Sequence, residues 1–148
     1  MEKNTPQESF AGESKPAFMH SDIKILLIED NSDIRENITE ILELDGYNVV
    51  TAAGGQRGTE LAKEKLPDVI LCDIVMPEIS GYEVLRRLKA DPNTSNILFL
   101  FVTASVGKKE VEAALALGAD GYIFKPFGLQ ELLNEIELCI QRRKVAKS

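Results

Sequence analysis

The chain predicts an α/β fold, a doubly wound five-stranded parallel sheet with helices on both faces. Short apolar runs alternate five times with amphipathic segments, the pattern of successive βα units. One run, Ile97-Leu98-Phe99-Leu100-Phe101-Val102, is uninterrupted, as a central strand covered on both faces must be. Polar residues close the apolar runs in a consistent way: Glu29-Asp30, Asp73, Thr103 and Lys125-Pro126. Right-handed crossovers then distribute the helices over both sides of the sheet.

The first strand is expected from Ile23 to Glu29. A helix follows from a Ser32 cap, with Ile34, Ile38, Ile41 and Leu42 at helical spacing. Gly46 ends it, and Asn48-Val49-Val50-Thr51 forms a short second strand. The next helix, about Gln56 to Leu66, is the least regular, with Gly58 inside it and Pro67 just beyond. Val69 to Cys72 is the third strand, and a loop with Pro77 and Gly81 leads into a helix from Tyr82 to Ala90. Asp91-Pro92-Asn93 breaks that helix before the fourth strand, Ile97 to Thr103. A helix from about Lys108 to Leu117 stops at Gly118, and the fifth strand is Gly121 to Phe124. The last helix places Leu129, Leu132, Leu133, Ile136 and Ile140 on one face, a core stripe.

Residues 1–22 read as a flexible leader, since after Met1 the stretch to Pro16 has only Phe10 and Ala11 as apolar side chains among Glu, Lys, Ser, Gln and Pro. Residues 23–143 form the domain, and 144–148 a basic tail. Met1 and the short basic end favour a complete single-domain protein over one excised from a longer chain. His20, the only histidine, is expected to be a solvated lead-in residue. Cys72 and Cys139 share no motif spacing and are expected to be reduced core thiols of a cytoplasmic protein. A net charge of −7 argues against direct nucleic-acid binding, which draws on a basic surface. Neither a membrane span nor a signal-peptide apolar region is present.

In open α/β sheets, chemistry sits at the carboxyl ends of the strands. There Glu29, Asp30 and Asp73 bring three carboxylates together. Such charges repel unless a cation compensates, and oxygen ligands favour a hard ion such as Mg²⁺. Thr103 and Lys125 add a hydroxyl and an ammonium, the groups expected around a phosphoryl oxygen. The set points to phosphoryl transfer onto an aspartate.

With these motifs in this order, the sequence resembles the response-regulator receiver domain of two-component signalling, of the CheY-like superfamily. The motifs are Glu29-Asp30, Asp73-Ile74-Val75-Met76-Pro77 with Gly81, Thr103-Ala104, and Tyr122-Ile123-Phe124-Lys125-Pro126-Phe127, and the likeness runs from about Ile23 to Arg143. It implies a flavodoxin-like strand order of 2-1-3-4-5. It also implies that Asp73 is the phosphoacceptor, taking its phosphoryl group from a sensor histidine kinase or a phosphotransfer protein. Asp30, Asp73 and the Val75 backbone carbonyl would hold Mg²⁺, with Glu29 acting mainly through a water. Thr103, the Ala104 N–H and Lys125 would contact the phosphoryl oxygens, with Lys125 paired to Asp73 at rest. The Lys125-Pro126 bond is cis in the family. Thr103 and Tyr122 would form the switch that alters partner binding. Val75 and Ser105 occupy positions that tune phosphoryl lifetime in the family; lacking acid or amide groups, they imply a long-lived aspartyl phosphate. Asp120-Gly121 stands where DNA-binding members often carry two acids, so the chain is expected as a monomer or as a phosphorylation-dependent dimer.

Two other classes compete. A Mg²⁺-dependent phosphohydrolase of the haloacid dehalogenase kind also uses an aspartyl phosphate, but it resembles Asp-x-Asp, whereas Asp73 precedes Ile74-Val75. A nucleotide- or flavin-binding module needs a Gly/Ser/Thr-rich phosphate loop after the first strand, where this chain has acidic Asp30-Asn31-Ser32-Asp33.

Overall fold

The structure, a computed structural model, describes residues 20–104 and 107–147. The elements run β1 (Lys24–Ile28), α1 (Ser32–Leu44), β2 (Asn48–Ala52), α2 (Gly55–Lys65), β3 (Val69–Cys72), α3 (Gly81–Lys89), β4 (Leu98–Thr103), α4 (Lys108–Ala116), β5 (Gly121–Phe124) and α5 (Leu129–Lys147). All neighbouring strands pair parallel, in the order β2-β1-β3-β4-β5. The expected doubly wound, flavodoxin-like sheet is therefore present.

Alternation along β1 divides the core. Ile25 and Leu27 point to one face, where Ile38 and Leu42 of α1 and Leu132, Ile136 and Ile140 of α5 cover them. Leu26 and Ile28 point to the other, against Leu61 and Ala62 of α2, Val84, Leu85 and Leu88 of α3, and Ala114 of α4. The strand period of two, set against helical stripes, thus accounts for helices on both sides. Every residue of β3 and β4 is buried, as the unbroken apolar runs required. Gly58 is the reason α2 looks irregular: it is buried against Ile28, and a Cβ there would meet the Ile28 side chain.

Three local expectations are corrected. The cap of α1 is Asn31, whose side chain accepts from the Ile34 N–H at 3.0 Å, so Ser32 is already helical. Leu66 lies outside α2, with φ at 46° in the left-handed region where the helix ends. At the C-terminus α5 continues to Lys147, so the basic residues extend a helix instead of forming a separate tail.

His20 is the largest correction. It is 5% exposed, and its ring stacks on Tyr47 with centroids 4.3 Å apart and planes 8° from parallel. Its Nδ1 donates to the Asp45 carbonyl at 2.7 Å, and Nε2 faces Glu137 Oε1 of α5 at 3.5 Å. Ile23 then donates back to the His20 carbonyl at 2.9 Å, a turn that launches β1. Burial, with the Glu137 and Asp45 charges nearby, pushes the Tyr47 hydroxyl well above its ordinary range. Residues 1–19 of the expected leader lie outside the described residues. Both cysteines are buried and free, as expected. No helix among the described residues is long and apolar enough to cross a membrane.

The His20 contacts carry a stability expectation. Losing the ring stack and the Asp45 hydrogen bond in His20→Ala costs about 1–3 kcal/mol in urea unfolding. His20→Phe, which keeps a ring but no donor, falls between the two. An unchanged midpoint for His20→Ala would show the contact to be idle.

Candidate functional site

Register fixes the site before any side chain is considered. Ile28 pairs with Cys72 across β1 and β3, so Glu29 and Asp73 emerge side by side at the carboxyl edge. The Asp73 N–H donates to the Ile28 carbonyl at 3.1 Å, stitching the two strand ends together. Thr103 pairs with Phe124, and the Lys125 N–H donates to the Thr103 carbonyl at 2.9 Å. Four strand ends therefore converge on one corner.

Asp73 is 8% exposed and uses its two carboxylate oxygens differently. Oδ1 accepts from the Ile74 N–H at 2.7 Å, with the Val75 N–H at 3.4 Å. Oδ2 accepts from Lys125 Nζ at 3.0 Å. The expected resting pair of Lys125 and Asp73 is present, and Lys125 makes a second bond the sequence did not indicate, to Glu29 Oε1 at 2.9 Å. Glu29 is only 2% exposed, and its Oε2 accepts from the Asn31 N–H at 3.2 Å. Burial holds its carboxyl pKa above the ordinary carboxylate range, and the Lys125 and Asn31 hydrogen bonds offset this only in part. Burial works against the Lys125 ammonium, but its bonds to Glu29 and Asp73 outweigh that and hold it above the ordinary lysine range.

Asp30 completes an acid corner and is exposed. One carboxylate oxygen from each of Glu29, Asp30 and Asp73 lies within 4.8 Å of the others. An all-oxygen set this tight, open to solvent on the Asp30 side, fits a hard divalent cation that retains waters. Gly81 is needed beside it. Its N–H donates to the Ile74 carbonyl at 2.8 Å, and a Cβ there would collide with the Asp73 carbonyl oxygen.

The remaining expected residues lie at the end of β4, on β5 and in the loop after β3, apart from one outside the described residues. Thr103 is buried at the end of β4, Ala104 is exposed just after it, and the Val75 side chain is 70% exposed at the mouth. Ser105 lies outside the described residues. Tyr122 is half-buried on β5, tilted against Phe124 at 5.0 Å and Phe101 at 6.2 Å between ring centroids. Burial, followed by Tyr82, Glu110 and Asp73, pushes its hydroxyl up to about 12. The Lys125-Pro126 bond is cis.

This arrangement has known counterparts. A family model described as the response regulator receiver domain matches residues 25–137. The chain belongs to this family. As a receiver domain it is a signalling module of two-component systems, and such domains interact with histidine kinases. The cell cycle response regulator CtrA of Brucella ovis is 38% identical over 122 residues, covering 82% of this chain and 52% of that protein. The chain thus spans about half the length of the curated relatives it matches. Among solved structures, the chemotaxis response regulator CheY4 of Vibrio cholerae superposes with a TM-score of 0.76 at 28% identity, covering 79% of this chain and 98% of that one. A receiver domain from Clostridium thermocellum gives 0.76 at 33% identity, covering 84% and 98%.

Sequence reasoning missed Arg35. From α1 its Nη1 donates to the Glu29 carbonyl at 2.8 Å and lies 3.5 Å from the Asp30 carbonyl. The signal available was its position five residues after Asp30, in the first turn of α1, but an exposed-face arginine reads the same way.

Proposed function

We propose that this receiver accepts a phosphoryl group on Asp73 from the phosphohistidine of a sensor histidine kinase or phosphotransfer protein, with Mg²⁺ required. One observation carries the reading: a nearly buried Asp73 carboxylate held 3.0 Å from Lys125 beside two further acids. An Asp73 oxygen attacks phosphorus as the P–N bond breaks, and the departing imidazole takes up a proton. Asp30, Asp73 and the Val75 carbonyl are the proposed cation ligands, with Glu29 acting through a water. Bound there, Mg²⁺ supplies charge neutralisation for the transferring oxygens. Lys125 is already bonded to the acceptor carboxylate, so it follows the charge onto the phosphoryl oxygens, with Thr103 and the Ala104 N–H as further donors. Lys125 and Thr103 are the residues we assign to transfer. The Glu29–Lys125 bond gives Glu29 a second task, holding that ammonium over the acceptor.

The phosphohydrolase alternative uses the same covalent chemistry and differs in turnover. The family supports stoichiometric signalling instead. We place the chain in the cytoplasm, where histidine kinases present their phosphohistidine. Acetyl phosphate with Mg²⁺ is expected to add one phosphoryl mass to wild type and none to Asp73→Asn, by intact mass spectrometry. Catalytic turnover of a phosphate ester would favour the hydrolase instead. Size exclusion with beryllofluoride separates a monomer from an activation-dependent dimer.

Lifetime follows from the mouth of the site. The exposed Val75 side chain presents methyl groups where an acid or amide would orient water. The aspartyl phosphate is therefore expected to outlast that of short-lived chemotaxis receivers in phosphorus NMR. Val75→Asn should shorten it severalfold. Equal decay of the two proteins would remove Val75 from this role.

The proposed output passes through Thr103 and Tyr122 to the face formed by α4, β5 and α5, by biasing a bistable element. Tyr122 packs on Phe101, which is two residues before Thr103 on β4, so a shift at Thr103 has a short packed route. Tyr122→Ala is expected to keep Asp73 labelling while weakening phosphorylation-dependent partner affinity. Undiminished affinity of the phosphorylated variant would exclude the switch role. Asp120 is already engaged, by the Phe99 N–H at 2.9 Å and by Arg143 at 3.7 Å, so it is committed within the domain.

A further inference from the structure

The turn from β1 into α1 carries two of the three acids at the site, and it is held from several directions. On the sheet side the Glu29 N–H donates to the Ala52 carbonyl of β2 at 3.0 Å. On the helix side Asn31 caps α1, and its own N–H donates to the Glu29 carboxylate at 3.2 Å. The Arg35 N–H donates to the Asn31 carbonyl at 2.9 Å. Above this, the half-buried Arg35 guanidinium reaches back to the carbonyls of Glu29 and Asp30, at 2.8 and 3.5 Å. Thr39 donates to the Arg35 carbonyl at 2.7 Å, one turn further along the helix.

The guanidinium thus bonds the backbone of the same two residues whose carboxylates form the acid corner with Asp73. Hydrogen bonds from a guanidinium are charge-assisted and stronger than neutral ones. We infer that Arg35 is a positioning residue for the divalent-cation corner: by clasping the Glu29 and Asp30 carbonyls it fixes how those carboxylates meet Asp73. This rests on the proposed Mg²⁺-dependent reading and adds to it a residue that touches neither the cation nor the acceptor.

Charge and geometry predict opposite signs, which makes the inference testable. A guanidinium near a divalent cation repels it, so on Coulomb grounds alone its removal tightens cation binding. Losing an outer partner that orients ligands weakens binding instead, typically by tenfold or more. The experiment is Mg²⁺ titration of the full chain by calorimetry and by amide chemical shifts, for wild type, Arg35→Gln and Arg35→Lys. Arg57→Gln, which removes a cation of α2 paired with Glu60, is the control for loss of charge alone. Arg35→Gln is expected to bind Mg²⁺ about tenfold more weakly and Arg35→Lys roughly threefold more weakly, with Arg57→Gln unchanged. Unchanged or tighter binding by Arg35→Gln overturns the inference. If Arg35→Gln does not fold, Arg35→Lys decides alone: weaker binding supports the clasp, and wild-type affinity overturns it. A wild type that binds no Mg²⁺ removes the metal reading and this inference together. Binding that is equal in wild type and Arg35→Gln removes only the inference.

Discussion

Three carboxylates converge where β1 and β3 end, and among the described residues the Lys125 ammonium is the basic side chain bonded to them, at Glu29 and Asp73. The rest of the site is arranged around this constraint. Buried acids placed this close raise each other's pKa and destabilise the fold unless countercharge is fixed nearby. The parallel register brings Glu29 and Asp73 together, and the return of β5 beside β4 delivers Lys125 to both. Lys125 touches Glu29 and Asp73 Oδ2, while Asp30 stands exposed at the edge of the corner. The corner is therefore incompletely neutralised by protein alone, the condition under which a hard cation is useful.

The helices are anchored unequally, and the difference has a direction. In α3, Gly81, Val84, Leu85 and Leu88 are buried, and in α2 five residues are, including Gly55 and Gly58 at close approaches. In α4 only Ala114 is buried. An element with little buried apolar surface is the cheapest to displace. The aromatic side chains nearest it, Tyr82, Phe101, Tyr122 and Phe124, form a chain of ring contacts with centroids 5.0–6.2 Å apart. Tyr82 reaches from α3 toward the Glu110 carbonyl of α4, at 3.5 Å. Of these three helices α4 is therefore the least anchored, and the ring chain from Tyr122 and Phe101 runs to Tyr82, which reaches it.

Much of this was legible in the sequence because the relevant signals are local. Unbroken apolar runs at Val69–Cys72 and Ile97–Val102 mark buried strands whichever helices cover them. Polar residues at strand ends fall at one edge once all strands run parallel. What was not legible depends on partners distant in sequence. His20 is polar and follows a polar stretch, and only the folded chain shows Tyr47, Asp45 and Glu137 enclosing it. The Glu29–Lys125 bond joins residues from the first and last strands, and no spacing rule connects them. Capping was misplaced by one residue because Asn31 and Ser32 are both good caps and only backbone geometry separates them.

The same distinction bears on Arg35. Carboxylates at strand ends need positioning from outside the strand, because the ladder of β1 reaches the charged residues only through the Glu29 N–H. The Glu29 N–H is tied to β2, but its carbonyl and that of Asp30 face α1, where Arg35 takes both. The first turn of a helix offers N–H donors to the loop before it, but here Asn31 takes those of Ile34 and Arg35. The Glu29 carbonyl is met instead by the guanidinium of Arg35, in the first turn of α1, without interrupting the Asn31 cap. The acid corner is thus framed by two cations with separate tasks. Lys125 neutralises carboxylates directly, and Arg35 holds the backbone from which two of them project.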